Sequence, residues 1–262
     1  MDKKIMAFVI GLLILSAVTG AYLITGNSKT MKGSEITVLA GAGLMKPMNE
    51  IITNFEKKTG KKVNVQYGGS GELLATLMTS KKGDVLITGE YTTMDKAKEK
   101  GYIINDTIVN VTSHKPVIAV KRGNPKNITS LKDLGKENVR VAIGDPKACA
   151  IGKVAQKMFD KEGVNINENL VAKTPTVNQL LTYILSGQVD AVIIWEDMLT
   201  WNNSKSKLEM IEIEGAKNQT IPAAVTSISG NVETSKEFVE YIKSDEARVI
   251  WGKMGVQSHF LI

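Results

Sequence analysis

Along the chain, apolar residues gather in short runs, each followed by a glycine-bearing turn and then by a stretch whose apolar positions recur every three or four residues. Ile36 to Ala40 is the first such run, rich in β-branched residues; Gly41-Ala42-Gly43 follows, and Met48, Ile51, Ile52 and Phe55 then mark one face of a helix. The pattern predicts strand, glycine turn and helix, with Pro47 suited to the first helical turn and Gly60 ending it. It recurs as Val63 to Tyr67, Gly68-Gly69-Ser70-Gly71, and a helix carrying Leu73, Leu74, Leu77 and Met78, with Asp84 to Thr88 as the next strand.

The second half repeats the order. Val117 to Val120 and Val139 to Ile143 read as strands, and Ala150-Ile151-Gly152 opens a helix holding Val154, Ala155, Met158 and Phe159 that Gly163 stops. Thr176 and Gln179 have the spacing of a capping box ahead of Leu180, Leu181 and Ile184. Ala191 to Trp195 is apolar throughout, as expected of a buried parallel strand. Ser235 to Lys243 and Glu246 to Met254 read as closing amphipathic helices. Alternating strands and helices predict an α/β protein of mixed, mainly parallel sheets flanked by helices. With 262 residues the chain exceeds what one core usually serves, so two lobes, or one unusually large domain, are expected.

The N-terminus reads differently. After Met1-Asp2-Lys3-Lys4, residues Ile5 to Ile24 are uncharged, a length close to the roughly 20 residues that span a bilayer. Residues 1–30 are therefore expected to be a signal peptide or an N-terminal membrane anchor, with cleavage after Gly20 or retention both open. No Cys follows the apolar run, which excludes a lipoprotein anchor. Five Asn-X-Ser/Thr sequons, from Asn105 to Asn218, suit an exported surface.

Composition narrows the chemistry. The 43% hydrophobic and 23% charged residues exclude disorder and a multi-span membrane protein. One cysteine, Cys149, and two histidines, His114 and His259, leave no donor set for a Cys-cluster or ordinary zinc site. The net charge of +6 is almost all lysine interleaved with acids, and with only Arg122, Arg140 and Arg248 as arginines no nucleic-acid footprint is expected.

The glycine or small-residue loops at Gly41 to Gly43, Gly68 to Gly71, Ala150 to Gly152 and Thr176 to Asn178 each precede a helix. Helix starts carry unpaired N–H groups and the positive end of a dipole, so they bind anions without arginine. Four such loops, two in each half, suggest two lobes enclosing one small oxyanion. No loop has the third glycine of a dinucleotide fingerprint or a P-loop. Ser70 has only His114 and His259 as possible bases, and no paired carboxylate is in view, so neither an enzyme nor a cofactor is expected.

The stretches Ile36 to Leu77, Gly83 to Ile103 and Val141 to Phe159, with Gly144-Asp145-Pro146 spaced five residues from Gly152, resemble the exported molybdate-binding (ModA) proteins of ABC uptake transporters. The similarity runs in order from Glu35 to Gly255. It implies the two-lobed periplasmic binding protein fold of type II, with lobe 1 formed by residues 34–114 plus 228–262, lobe 2 by 115–227, and hinge crossings near 113–121 and 221–227. It also implies an extracytoplasmic monomer that captures molybdate, and tungstate beside it, and delivers it to an ABC permease and its ATPase. No free metal cation is implied. Sulfate, phosphate or a small carboxylate are the alternatives on the same fold.

Carried over residue by residue, the resemblance places the ligand against Ala42, Gly43, Gly69, Ser70, Ile151, Val177, Trp195 and Glu196. Ser70 matches the family's second-loop serine. Gly43 stands where the first-loop serine would be, so only its backbone N–H remains. Trp195 takes the position of a tyrosine hydroxyl, where its indole N–H stands equally as donor or as core. Glu196 lies near a carboxylate that archaeal relatives use to expand the metal's coordination; helix capping is its simpler role.

Overall fold

The computed structural model describes residues 35–253 together with Gly255. The apolar segment 5–24 and His259 lie outside the described residues. Among those described, no helix is long and apolar enough to cross a membrane. The described residues form one compact unit built on two five-stranded sheets.

The first sheet has the order β2 (Lys62–Gly68), β1 (Glu35–Gly41), β3 (Val85–Ile87), β10 (Gln219–Val225), β4 (Val109–His114). β1 is parallel to β2 and β3, and β10 runs antiparallel to both neighbours. Alternate residues of the central strands feed opposite faces, as the two-residue period of a strand requires. Val38, Ala40, Val85 and Ile87 pack with Ile51 and Phe55 of α1 (Met45–Thr59). On that face lie also Phe238 of α6 (Val232–Ile242) and Trp251 of α7 (Asp245–Lys253). Leu39 and Leu86 face the other way, onto Leu73 and Leu77 of α2 (Ser70–Ser80) and Met94 of α3 (Tyr91–Glu99). Both faces are covered, so these strands read as unbroken apolar runs.

The second sheet has the order β7 (Leu170–Thr174), β6 (Val141–Gly144), β8 (Ala191–Trp195), β5 (Pro116–Lys121), β9 (Leu208–Ile211). β8 is parallel to β6 and antiparallel to β5. α4 (Ala150–Glu162) and α5 (Val177–Ser186) cover it, with Ile151, Phe159, Leu180 and Ile184 buried. Gly60 and Gly163 end α1 and α4 in the left-handed conformation that glycine adopts at no steric cost.

The spacing Gly144 to Gly152 has a packing reason. A Cβ on Gly144 would lie 2.8 Å from the Gly152 nitrogen, and one on Gly152 would lie 2.3 Å from the Gly144 oxygen. Only glycines let the end of β6 meet the start of α4 backbone to backbone.

Two expectations need correction. The chain crosses between sheets at Lys115, within the expected first hinge, but it returns over residues 212–218, ahead of the expected 221–227. Gln219–Val225 is a strand of the first sheet, so the boundary of 227 for the second lobe falls too late. Pro222 argues against an interior strand, and the structure accommodates it with a register shift between Ile221 and Pro222. Thr176 is the N-cap of α5 by position, but its side chain makes no capping bond; the Thr174 hydroxyl instead donates to the Thr176 carbonyl at 2.9 Å. An ion pair of 3.3 Å between Lys115 and Glu212 joins the two crossings.

Candidate functional site

The carboxyl ends of the central strands of both sheets face one another, and the residues that follow them enclose a small cavity. The centre of a water-sized atom can move over about 20 Å³ of it, somewhat more than a single water needs. A compact polyatomic ion fits, and a sugar or peptide does not. The first lobe contributes the 3-10 turn Ala42–Leu44 and the start of α2 at Gly69 and Ser70, together with Gly89 and His114. The second contributes Cys149 to Ile151 at the start of α4, Val177 at the start of α5, and Trp195 at the end of β8. Three α-helix N-termini from two lobes thus converge on one small volume.

The lobes are in close contact around this cavity. The Gly71 N–H donates to the Ala148 carbonyl at 2.8 Å. A Cβ on Gly69 would lie 2.2 Å from the Pro175 oxygen, and one on Gly71 would lie 2.0 Å from the Lys147 oxygen. Gly-Gly-Ser-Gly is therefore a contact surface as well as a helix start. Beside it, the Lys153 ammonium of α4 reaches Glu90 Oε1 at 3.2 Å and the Thr93 hydroxyl at 2.5 Å across the interface. Burial pushes the Glu90 carboxyl up, yet the bonds from Thr93 and the Lys153 charge outweigh it and hold the group below its ordinary range.

Ser70 is buried, and its hydroxyl oxygen accepts the Gly89 N–H at 3.0 Å. With that lone pair engaged, the hydroxyl proton remains to be donated. Gly43 and Trp195 are complementary: a Cβ at Gly43 would meet Trp195 Cδ1 and Val177 Cγ1 at 3.2 Å and Trp195 Nε1 at 3.6 Å. The indole edge fills the space that a side chain at residue 43 would enter.

His114 supports that indole. Its ring stacks on Trp195 with centroids 3.5 Å apart and planes 14° from parallel. His114 Nε2 lies 2.9 Å from the Gly89 carbonyl, which can only accept, so this nitrogen carries the proton. Burial depresses the imidazole to about 3, against the opposing effect of that bond. Its Nδ1 sits 3.9 Å from Asp197 Oδ1. Asp197 is also fully buried, and burial pushes its carboxyl up to about 7, with its own backbone bond opposing and Glu196 adding to the rise. The two groups are near neighbours, but both are held toward their neutral forms and the distance exceeds a hydrogen bond, so they do not constitute an ion pair.

Of the residues expected at the site, Ala42, Gly43, Gly69, Ser70, Ile151, Val177 and Trp195 line the cavity. Glu196 does not: it is half-buried at the start of a 3-10 turn, its N–H donating to the Lys115 carbonyl at 2.9 Å. The expectation that its carboxylate enters the metal's coordination has no support in this geometry. His114, Gly89 and Cys149 line the cavity and were not among the expected ligand contacts. Val109–His114 carries three buried polar residues in a row, Thr112, Ser113 and His114, and so lacks the apolar pattern that marks a strand. Cys149 is buried, which raises its thiol to about 11 against the N–H groups of Gly152 and Ile151, so it stands in the wall as a neutral group. No lining residue is Lys, Arg, Asp or Glu. Among the described residues no group of three or more His, Cys, Asp or Glu is placed to hold a metal cation.

With this geometry in place, comparison with known proteins defines the class. The chain belongs to the family of bacterial extracellular solute-binding proteins, whose match covers residues 36–257. It is 33% identical to a binding protein of Haemophilus influenzae over 88% of this chain and 93% of that one. It is 24% identical to the molybdate-binding protein ModA of Escherichia coli over 90% of this chain and 93% of that one. The fold is shared with the sulfate-binding protein SubI of Mycobacterium tuberculosis, at a TM-score of 0.77 and 17% identity, over 87% of this chain and 88% of that one.

Proposed function

We propose that this chain captures molybdate, and tungstate with it, in the interlobe cavity and delivers it to an ABC permease and its ATPase. The observation that carries the reading is a small cavity, walled by both lobes, in which helix starts, a serine hydroxyl and an indole edge meet without a single charged side chain. An anion held there is stabilised by dipoles and neutral donors. Phosphate near neutral pH keeps a proton and requires an acceptor, for which the wall offers no carboxylate; an organic acid calls for an arginine fork, also missing from the wall. A fully deprotonated tetrahedral oxyanion satisfies what remains. The names of relatives such as the Escherichia coli protein favour molybdate. Sulfate is the second reading, supported by the same neutral wall and by the SubI fold.

Calorimetric titration of residues 31–262 with molybdate, tungstate, sulfate and phosphate tests this. One saturating site for molybdate and tungstate, with sulfate weaker and phosphate silent, is expected. Tighter binding of sulfate would replace the first reading by the second, and saturation by phosphate alone would remove both.

Ser70→Ala is expected to weaken molybdate binding by about 1–3 kcal/mol, the range for losing a bond to a charged group and stranding a buried partner, here the Gly89 N–H. An unchanged dissociation constant would show that the hydroxyl does not face the ligand. Trp195→Phe keeps the aromatic wall and removes the indole N–H, so the same titration measures what that donor contributes; a loss of about tenfold or more is expected for one hydrogen bond to a charged group.

A further inference from the structure

Behind the Glu90–Lys153 pair lies a second, larger cavity of about 320 Å³ on the same measure, the lower end of the range for small-molecule sites. Lys153, Lys157 and Lys161 line it from one face of α4, where residues four apart are neighbours, and Lys217 adds a fourth ammonium from the returning crossing segment. Val154, Met158 and Pro116 supply apolar wall between them. Glu90, Thr92 and Gln219 close it from the side of the first sheet.

Charge is segregated by lobe across this cavity. Every ammonium belongs to α4 or the crossing segment, and the one carboxylate, Glu90, belongs to the first lobe. Glu90 is already engaged by Lys153, in a pair whose side chains are only 4% and 14% exposed. Lys157 and Lys217 have no carboxylate partner among the described residues, and Lys161 has only the exposed Glu162 at 4.0 Å.

We infer that this outer cavity is a second binding site, for a multivalent organic anion with a short apolar body, and that its occupancy loosens the closed lobes. An anion seated among the four lysines attracts Lys153 and repels Glu90, so it competes with the contact that holds α4 against α3. Because Glu90 follows Gly89 and Lys153 comes two residues after Ile151, both of which line the inner cavity, the same contact stands next to its wall. Loosening it lowers affinity there, and by linkage inner-site occupancy disfavours the outer anion by the same factor. The outer site itself stands on its own geometry; the coupling rests on the oxyanion reading of the inner cavity.

Benzene-1,3,5-tricarboxylate is a suitable probe, being multivalent, apolar in the middle and too large for the inner cavity. Its binding to the ligand-free protein is measured directly by calorimetry, and molybdate is then titrated at increasing probe concentration, with sodium chloride matching the ionic strength throughout. The expected result is saturable probe binding and a rise of about fivefold or more in the molybdate dissociation constant that levels off with probe. Both are expected to vanish in a Lys157→Gln, Lys217→Gln double variant, whose molybdate affinity without probe stays at the parent value. No probe binding, or binding that persists in the double variant, overturns the outer site. Probe binding that leaves molybdate affinity unchanged or raises it overturns the coupling. If molybdate itself fails to bind while the probe does, the oxyanion reading has failed and the outer site has not.

Discussion

Gly71→Ala is expected to abolish tight oxyanion binding while leaving the protein at least as stable as the parent. The added methyl group would sit 2.0 Å from the Lys147 carbonyl oxygen, a backbone atom of the opposite lobe that has no flexible side chain to swing aside. Relief comes by holding the lobes apart, which also lengthens the bond from the Gly71 N–H to Ala148. Within its own lobe the substitution is tolerated, because residue 71 lies in the first turn of α2 and alanine is the better helix former. A loss of molybdate affinity of about a hundredfold or more is anticipated, since clashes on this scale exceed the few kcal/mol that overpacking usually costs. Calorimetry measures the affinity, thermal unfolding the stability, and solution scattering the compaction on adding anion. Parent-like compaction with parent-like affinity would show that the close approach of these backbones is not required for binding.

Asp197→Asn is expected to change stability in a pH-dependent way that isolates a buried titrating pair. Asp197 is raised from 3.8 to about 7, so stability from keeping it protonated is fully present below about 4 and is lost as pH rises toward 7. His114 is depressed from 6.5 to about 3, so its contribution is present above 6.5 and lost as pH falls toward 3. Between about 4 and 6.5 the two slopes oppose each other: the unfolded chain carries the proton on His114, the native one on Asp197, and the pair leaves stability nearly flat. With asparagine at 197 only the histidine slope remains, so stability should climb with pH across that window. Relative to the parent, the variant should gain about 4 kcal/mol between pH 4 and 8, from a shift of roughly three units at 1.36 kcal/mol each. A pH-independent cost of about 1–3 kcal/mol for burying the unpaired amide offsets part of it. Urea unfolding at pH 4.5, 6.5 and 8 reads the difference; a constant offset at all three would mean that Asp197 is ionised normally in the native state.

Much of the architecture was legible along the chain. The runs at Ile36 to Ala40, Val63 to Tyr67 and Ala191 to Trp195 are strands, and the helices that follow the glycine turns begin and end within a few residues of their expected bounds. These elements are written in local periodicity and in glycine stops, which act over one or two turns of chain. Gln219–Val225 was missed because Pro222 sits where a ladder bond would be lost, and β4 because its polar residues Thr112, Ser113 and His114 are buried rather than exposed. Seven of the eight expected ligand contacts line the cavity, since each sits at a helix start that the strand-turn-helix order identifies. Glu196 does not line it: β8 ends at Trp195 and Glu196 already belongs to the 3-10 turn that follows, a change of direction that the apolar run does not announce.

What the residue order settled, then, was the inventory: alternating strands and helices, four anion-favouring helix starts, and few of the charged groups that chemistry or nucleic-acid binding would need. Which of these starts share one cavity was settled by packing between segments more than sixty residues apart. The stack of His114 on Trp195, the filling of the Gly43 space by an indole edge and the Lys153–Glu90 contact all join residues from different lobes. Each depends on how two independently cored sheets meet, and a local hydrophobic pattern records that a residue is buried without recording what it is buried against.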